Sequence, residues 1–283
     1  MIHFLATISD DIEMWNRVKY FLLNFPKKYK FSLVITGINK KSEFLIFKNK
    51  ELEKKIKEEK IFVGKHDLFF SNTNYKNHPP VRWYIKSKCH NIVFVDMDML
   101  FCSDIHELEE NTDCLSGVIA HDSPFTLNEW KEVFKIFQIK FPNEIYFTNN
   151  TKKPCPFYLN FGFVHLSELI KIKIKNLYIF YLKKLSVLEN YKNNQFLPQI
   201  ALTLATIKSN IKTKVLPLKF NFPDYNHYEN LYEDEFENIK LFHYFNNGSN
   251  CKNIFKFREN LTEKQKIKLN NIFNKIQKDN FLF

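Results

Sequence analysis

The 283-residue chain is long enough for one large domain with a buried core, and its 45% apolar and 17% aromatic content, with 31 Phe against 5 Gly, excludes disordered and collagen-like classes. The net charge is +11, but the lysines are spread along the whole length among Asn, Ile and Phe. Most of that charge therefore reads as a solvated surface, with a minor share left for attraction to anionic nucleotides, acidic glycans or lipid.

Residues 2–8 read as a short buried strand ending at Ser9, Asp10 and Asp11, after which Ile12, Trp15, Val18, Tyr20, Phe21 and Leu22 take helical spacing. Phe31–Thr36 is a second strand closed by Gly37, and Glu51–Lys60 reads as a charged helix before a strand-like run at Ile61–Val63. The rhythm is β-α-β-α-β, which predicts an α/β domain. Val81–Cys89 reads as an amphipathic helix leading into the strand at Ile92–Val95. The N-terminus turns acidic too soon for a signal peptide, and no apolar run approaches the ~20 residues of a membrane span. Five cysteines, at 89, 102, 114, 155 and 251, form no C-x-x-C pair, so reduced thiols and a soluble, cytoplasmic protein are expected.

The apolar run Ile92–Phe101 is interrupted by Asp96 and Asp98. Carboxylates at the end of an apolar strand cost several kcal/mol unless a cation or donors compensate them. Alternation puts both on one face of an extended chain, where their oxygens can converge on Mn²⁺ or Mg²⁺. Taken alone, the triplet equally suits a strand running out into a polar turn. Its place at a strand's carboxyl end is where open α/β sheets bind ligands.

Further on, Pro-punctuated segments at 122–128 and 142–156 read as loops of the kind that carry substrate contacts. Tyr158–Leu166 is an apolar run containing Asn160 and Gly162, and Ser167 caps a helix reaching about Tyr191, although Ile and Lys alternate over 170–175. A second helix is expected over Gln195–Ile207, with strands at Lys214–Leu218 and Lys240–Tyr244. Thr262 with Gln265 forms a capping box for a basic terminal helix whose Ile267, Leu269, Ile272, Phe273 and Ile276 stripe packs on the domain by default. The alternative for that stripe is contact with an anionic membrane surface.

In order along the chain stand Ala6-Thr7-Ile8-Ser9-Asp10, Arg82 in Pro79-Pro80-Val81-Arg82-Trp83-Tyr84, Asp96-Met97-Asp98, Asn160-Phe161-Gly162, Gln199-Ile200-Ala201-Leu202, and His243 in Leu241-Phe242-His243-Tyr244. Over residues 1–256 this sequence resembles metal-dependent glycosyltransferases of the GT-A fold, most nearly the retaining family 8 type that includes glycogenin. The resemblance implies a single Rossmann-like nucleotide-sugar domain over 1–256, with a mixed central sheet, helices on both faces, and a basic helix at 257–283 beside it. It implies hexose transfer from a UDP-sugar to a hydroxyl of a glycan, lipid or protein acceptor, with Mn²⁺ or Mg²⁺ as cofactor and no nucleic-acid partner.

Carried over residue by residue, Asp98 and His243 would ligate the metal and Asp96 would bridge it to the donor ribose. Ala6, Thr7, Ser9, Asp10 and Arg82 would bind the donor nucleotide, and Gly248 and Lys252 its pyrophosphate. Asn160 and Gly162 would line the sugar, and Gln199 would sit near the anomeric carbon. Three departures stand out. Phe161 replaces the family's small residue, Pro198 replaces an acidic one, leaving Asn194-Gln195 as another equivalent, and Lys252-Asn253-Ile254 stands for Lys-Pro-Trp. Asp122 is either a turn-capping residue or the base of an inverting variant. A haloacid dehalogenase-type phosphatase fits poorly, because Leu100 holds the fifth place of its motif. A noncatalytic basic module lacks RRM, zinc or clustered-arginine signals; it predicts salt-sensitive binding indifferent to Asp98.

Overall fold

The computed structural model describes residues 1–9, 12–36, 54, 62–66, 79–110, 113–192, 194–244 and 258–278. Asp10, Asn247, Gly248, Lys252 and, apart from Lys54, the helix expected over 51–60 lie outside them. Strand β1 (Ile2–Ser9) is buried along all but its last residue, because both of its faces are covered. Phe4, Ala6 and Ile8 pack under helix α1 (Ile12–Leu23), which buries Trp15, Val18 and Phe21, while Leu5 faces a second apolar cluster on the other side. That two-sided burial explains the near-continuous apolar sequence.

Parallel to β1 run β2 (Lys30–Thr36) on one side and β4 (Asn91–Val95) on the other, with β3 (Phe62–His66) beyond β2. Between β3 and β4 the expected helix over Val81–Cys89 is instead a 3-10 helix, Pro79–Tyr84. It ends where Ile85 N donates to Arg82 O at 3.3 Å, and Ser87 Oγ then accepts from Cys89 N in a turn. Side chain-to-backbone bonding of this kind competes with helix continuation.

Past β4 the chain makes a short β5 (Met99–Phe101), then β6 (Leu115–Ile119), α2 (Leu127–Ile136, opened by a Thr126–Glu129 capping box) and a hairpin of β7 (Tyr146–Phe147) and β8 (Pro154–Cys155). Next come β9 (Leu159–Ser167), the 20-residue α3 (Glu168–Val187), α4 (Leu197–Lys208) and β10 (Thr213–Val215). A 3-10 turn at Leu218–Asn221 leads to β11 (Phe222–Pro223), two short helices, α5 (Tyr228–Leu231) and α6 (Glu233–Glu237), β12 (Leu241–His243) and α7 (Glu263–Lys278).

The main sheet has seven strands in the order β10-β6-β9-β4-β1-β2-β3, and it is mixed because β9 runs antiparallel to both β4 and β6. A three-stranded sheet, β11-β12-β5, stands at its carboxyl end, with β12 antiparallel to β5. The Ile–Lys alternation at 170–175 does not make a strand. As helix it sends Ile170 and Ile174 inward and Ile172 outward. The α7 stripe of Leu269, Ile272 and Phe273 is buried in the same cluster as β1 and α1. No helix among the described residues is long and apolar enough to cross a membrane.

Candidate metal centre at the carboxyl end of the sheet

Asp96 follows the last residue of β4, and its N–H donates to Gly162 O at 3.0 Å, one step beyond the Val95–Phe163 pair of β4 and β9. Asp98 immediately precedes β5, which crosses into the small sheet and pairs Met99 with His243 of β12. Tyr244 N closes this junction by donating to Asp98 O at 3.0 Å. The two-sheet joint thus sets residues far apart in sequence around one point. One ligand atom each from Asp96, Asp98 and His243 lie within 4.8 Å of one another.

The surroundings fix each of the three. His243 Nδ1 lies 2.8 Å from the Oδ1 of Asn221, a fully buried amide, which turns Nε2 toward the carboxylates. Such an orienting partner is the common companion of a metal-binding imidazole. Asp98 Oδ2 receives Arg17 Nη1 at 3.2 Å, and the other arm of Arg17 pairs with Glu13 at 2.7 Å. Asp96 Oδ1 receives the Nη2 of Arg82, a side chain 1% exposed whose Nε also reaches Thr7 Oγ1 at 3.4 Å.

Asp98 Oδ1 and His243 Nε2 are 3.2 Å apart, within ion-pair distance when the imidazole is protonated. The same approach sets a carboxylate oxygen and an imidazole nitrogen where a shared cation can take the place of the proton. Two carboxylates and one imidazole form a donor set fit for Mn²⁺ or Mg²⁺, and the nitrogen is better suited to Mn²⁺. Electrostatics agree with close packing of charge. Burial would raise the Asp98 pKa, but the His243 charge and then Arg17 hold it well below the usual carboxylate range. Burial would lower His243, but Asp98 raises it.

Asn160 and Gly162 flank the group. Asn160 Oδ1 accepts from Gly162 N at 2.9 Å, and a Cβ on Gly162 would stand 2.8 Å from His243 Cε1. Phe161, the departure between them, points into the core on the other face of β9, where its ring stacks on Tyr178 and lies 5.8 Å from the Arg82 guanidinium. The substitution therefore builds a floor under Arg82 and leaves the site face to its neighbours. Pro198 sits in the first turn of α4, a position where proline is well tolerated. Gln199 is half-buried in that turn and Gln195 is exposed just before it.

Of the remaining expected residues, Ala6 is buried under α1, Thr7 touches Arg82 and Ser9 is partly exposed at the end of β1. Asp122 is held by its own loop. Its Oδ1 accepts from Thr151 Oγ1 and Ser123 N, both at 2.7 Å, and pairs with Lys153 Nζ at 3.1 Å. Burial raises the Asp122 pKa, but these donors outweigh it and lower it. Its neighbour His121 is buried and pushed down to about 3, first by burial and then by the His243 charge.

Sequence reasoning missed Arg17 and Asn221. Glu13 and Arg17 read as an ordinary i,i+4 helix pair. Asn221 did leave a trace, an amide between two phenylalanines in Phe220-Asn221-Phe222.

No protein-family model and no curated protein matches the sequence. Solved structures do match the fold. The apo WbbM bifunctional glycosyltransferase aligns at 11% identity and a TM-score of 0.55, covering 97% of this chain and 51% of that one. An active-site mutant of LgtC aligns at 14% and 0.53, covering 95% and 100%. The glycosyltransferase GlyE of Streptococcus pneumoniae TIGR4 aligns at 12% and 0.51, covering 97% and 63%. The chain thus spans about half of WbbM and under two thirds of GlyE. At these identities the likeness is one of fold, and the fold is that of GT-A glycosyltransferases.

Proposed function

We propose that this GT-A chain is a metal-dependent glycosyltransferase that moves a hexose from a UDP-linked donor to a hydroxyl of a glycan, lipid or protein, with retention. The observation that carries the reading is the convergence of Asp96, Asp98 and His243 at the carboxyl end of the sheet. Mn²⁺ or Mg²⁺ held by these three would stabilise negative charge on the departing diphosphate.

The chain's own residues do the rest. Arg17 and Arg82 each clamp one oxygen of an aspartate, which leaves the other oxygen of each carboxylate for the metal. Asn221 fixes the imidazole so that Nε2 points at Asp98. Thr7 and Ser9 offer hydroxyls to the nucleoside, with Asp10 expected beside them. Asn160 and the bare backbone at Gly162 allow the donor sugar to lie close to the metal ligands, and Gln199, with Gln195 as its alternative, is the expected contact near the anomeric carbon. Gly248 and Lys252 are the expected pyrophosphate contacts.

Retention is favoured over inversion by the state of Asp122. A carboxylate already accepting from a hydroxyl, a backbone N–H and an ammonium, with a lowered pKa, is a weak base. In the retaining mechanism the leaving phosphate takes the acceptor proton.

The test is a screen of UDP-, GDP- and CMP-sugars for Mn²⁺-dependent thermal stabilisation and slow donor hydrolysis, followed by NMR of the product anomer. Stabilisation by UDP-sugars that is lost in Asp98→Ala supports the reading. A chain that responds to no nucleotide sugar in the presence of Mn²⁺ overturns it.

A further inference from the structure

Helix α3 carries an outward stripe that the glycosyltransferase reading does not use. Leu169, Ile172, Phe180 and Val187 are 73%, 61%, 49% and 72% exposed. Their spacing of three, eight and seven residues keeps them on one side of the helix over about 30 Å of its length. Exposed Lys173, Lys183 and Lys184 lie on the same side. The only acid in the helix, Glu168, is turned away and pairs with the buried Lys171 at 2.8 Å. Beside the stripe, Tyr84 is 40% exposed with Lys175 Nζ 4.7 Å from its ring centroid, and Lys86 and Lys88 are exposed on the segment that Lys171 anchors through Ile85 O.

On the terminal helix α7, where a membrane contact was an alternative from sequence, the described side chains make no such face. Leu269, Ile272 and Phe273 are buried in the cluster that holds α1 and β1, and among the described residues it presents outward Asn270, Asn271 and Asn274, with Ile267 exposed.

We propose that the outer face of α3 is a docking surface for an anionic lipid bilayer, on which the helix lies flat with its four apolar side chains in the acyl boundary. A row of large apolar groups flanked by lysines and free of carboxylates is the pattern of an interfacial helix. Charge chooses the occupant. A second copy of this chain would bring one lysine row onto another in a two-fold pairing, whereas anionic headgroups neutralise it.

The experiment is co-sedimentation of the purified full chain with vesicles of phosphatidylcholine alone and of phosphatidylcholine mixed with phosphatidylglycerol, at low and high salt. Binding is expected to the anionic vesicles, weakened by salt. The variant Leu169→Ser/Ile172→Ser/Phe180→Ser/Val187→Ser should lose it. The variant Lys173→Gln/Lys183→Gln/Lys184→Gln should weaken partition by roughly fivefold per charge removed. Ile267→Ser/Lys275→Gln on α7 should bind like the parent. All seven α3 positions are at the surface, and melting curves check that the variants fold; should the serine variant not fold, the glutamine variant carries the test. The proposal is overturned by absence of binding to anionic vesicles, by equal binding to neutral ones, by binding that survives the folded α3 variants, or by sedimentation showing a dimer that the α3 substitutions dissolve.

Discussion

Gly162→Ala would place a Cβ 2.8 Å from His243 Cε1, 3.0 Å from Asn160 Oδ1 and 3.1 Å from Met99 Cε. Carbon atoms rest at about 3.5 Å or more, so something must yield by roughly half an ångström or more. If the imidazole yields, its Nδ1 bond to Asn221 resists and Nε2 leaves its place near Asp98. If strand β9 yields, Gly162 O carries Asp96 with it through their 3.0 Å bond. Either way a ligand atom moves by more than the about 0.2 Å that a metal site tolerates. The expected result is a fall of about 10- to 100-fold in Mn²⁺ affinity, measured by calorimetry in the presence of UDP. Gly117→Ala is the matched control. Its Cβ would meet Leu159 Cδ1 at 2.9 Å and Phe163 O at 3.0 Å, against β9 side chain and backbone rather than a metal ligand. Both variants should lose about 1–3 kcal/mol of stability to overpacking, and the first, which also presses on the imidazole, should lose more metal affinity. Unchanged Mn²⁺ affinity in a folded Gly162→Ala would refute the assigned centre.

Asp98→Asn should remove the Mn²⁺-induced rise in Tm, and in metal-free buffer should cost about 1–3 kcal/mol by urea unfolding, since Arg17 and His243 lose a charged partner; a persistent metal response would exclude Asp98 as a ligand. Phe161→Ala, which restores a small residue, should destabilise by about 3–5 kcal/mol because the ring is buried under Arg82 and Tyr178; a neutral result in urea would contradict that packing. Asp122→Asn should lower kcat by less than about tenfold, whereas loss of a true base would cost at least about a hundredfold. The buried His3 and His165 are both held down at about 4, first by burial and then by nearby lysines. Unfolding lets them take up protons, so the stability they contribute is full above pH 6.5 and is lost as pH falls to about 4. Melting temperature should drop across that window, less steeply in His165→Gln, and a flat profile would contradict the burial of these groups.

The order of strands and helices was legible because β1, β2 and β4 are buried on both faces and so carry unbroken apolar runs, and because Ser167 and Thr262 announce helix starts that the structure confirms by their N-terminal hydrogen bonds. The segment after Pro79 was misread since apolar spacing over Val81–Cys89 suits a helix, while Ser87 draws the backbone into a turn that spacing does not encode. Phe161 was unreadable for a different reason. Which face of β9 it occupies decides whether it narrows a sugar pocket or supports Arg82, and a one-residue shift in strand register would exchange the two. Arg17 and Asn221 act only through the closure of the small sheet against the large one, a long-range event with no local pattern in the chain.

That closure also revises the reason for expecting a metal. From sequence, Asp96 and Asp98 were costly enough at the end of an apolar strand to call for a cation. The structure supplies cations from the protein itself, Arg82 to Asp96 and Arg17 to Asp98, each held on one carboxylate oxygen. The cost of the two carboxylates is therefore met without any bound ion, and burial alone no longer discriminates a metal site from a salt-bridged joint. The discriminating feature is the third group. A joint that needed only neutralisation would be served by the arginines, yet His243 is also brought in, its Nδ1 tied to a buried asparagine and its Nε2 set 3.2 Å from an Asp98 oxygen. With one oxygen of each aspartate held by an arginine and the imidazole oriented by Asn221, one ligand atom from each of the three residues lies within 4.8 Å of the others, and that convergence carries the metal assignment.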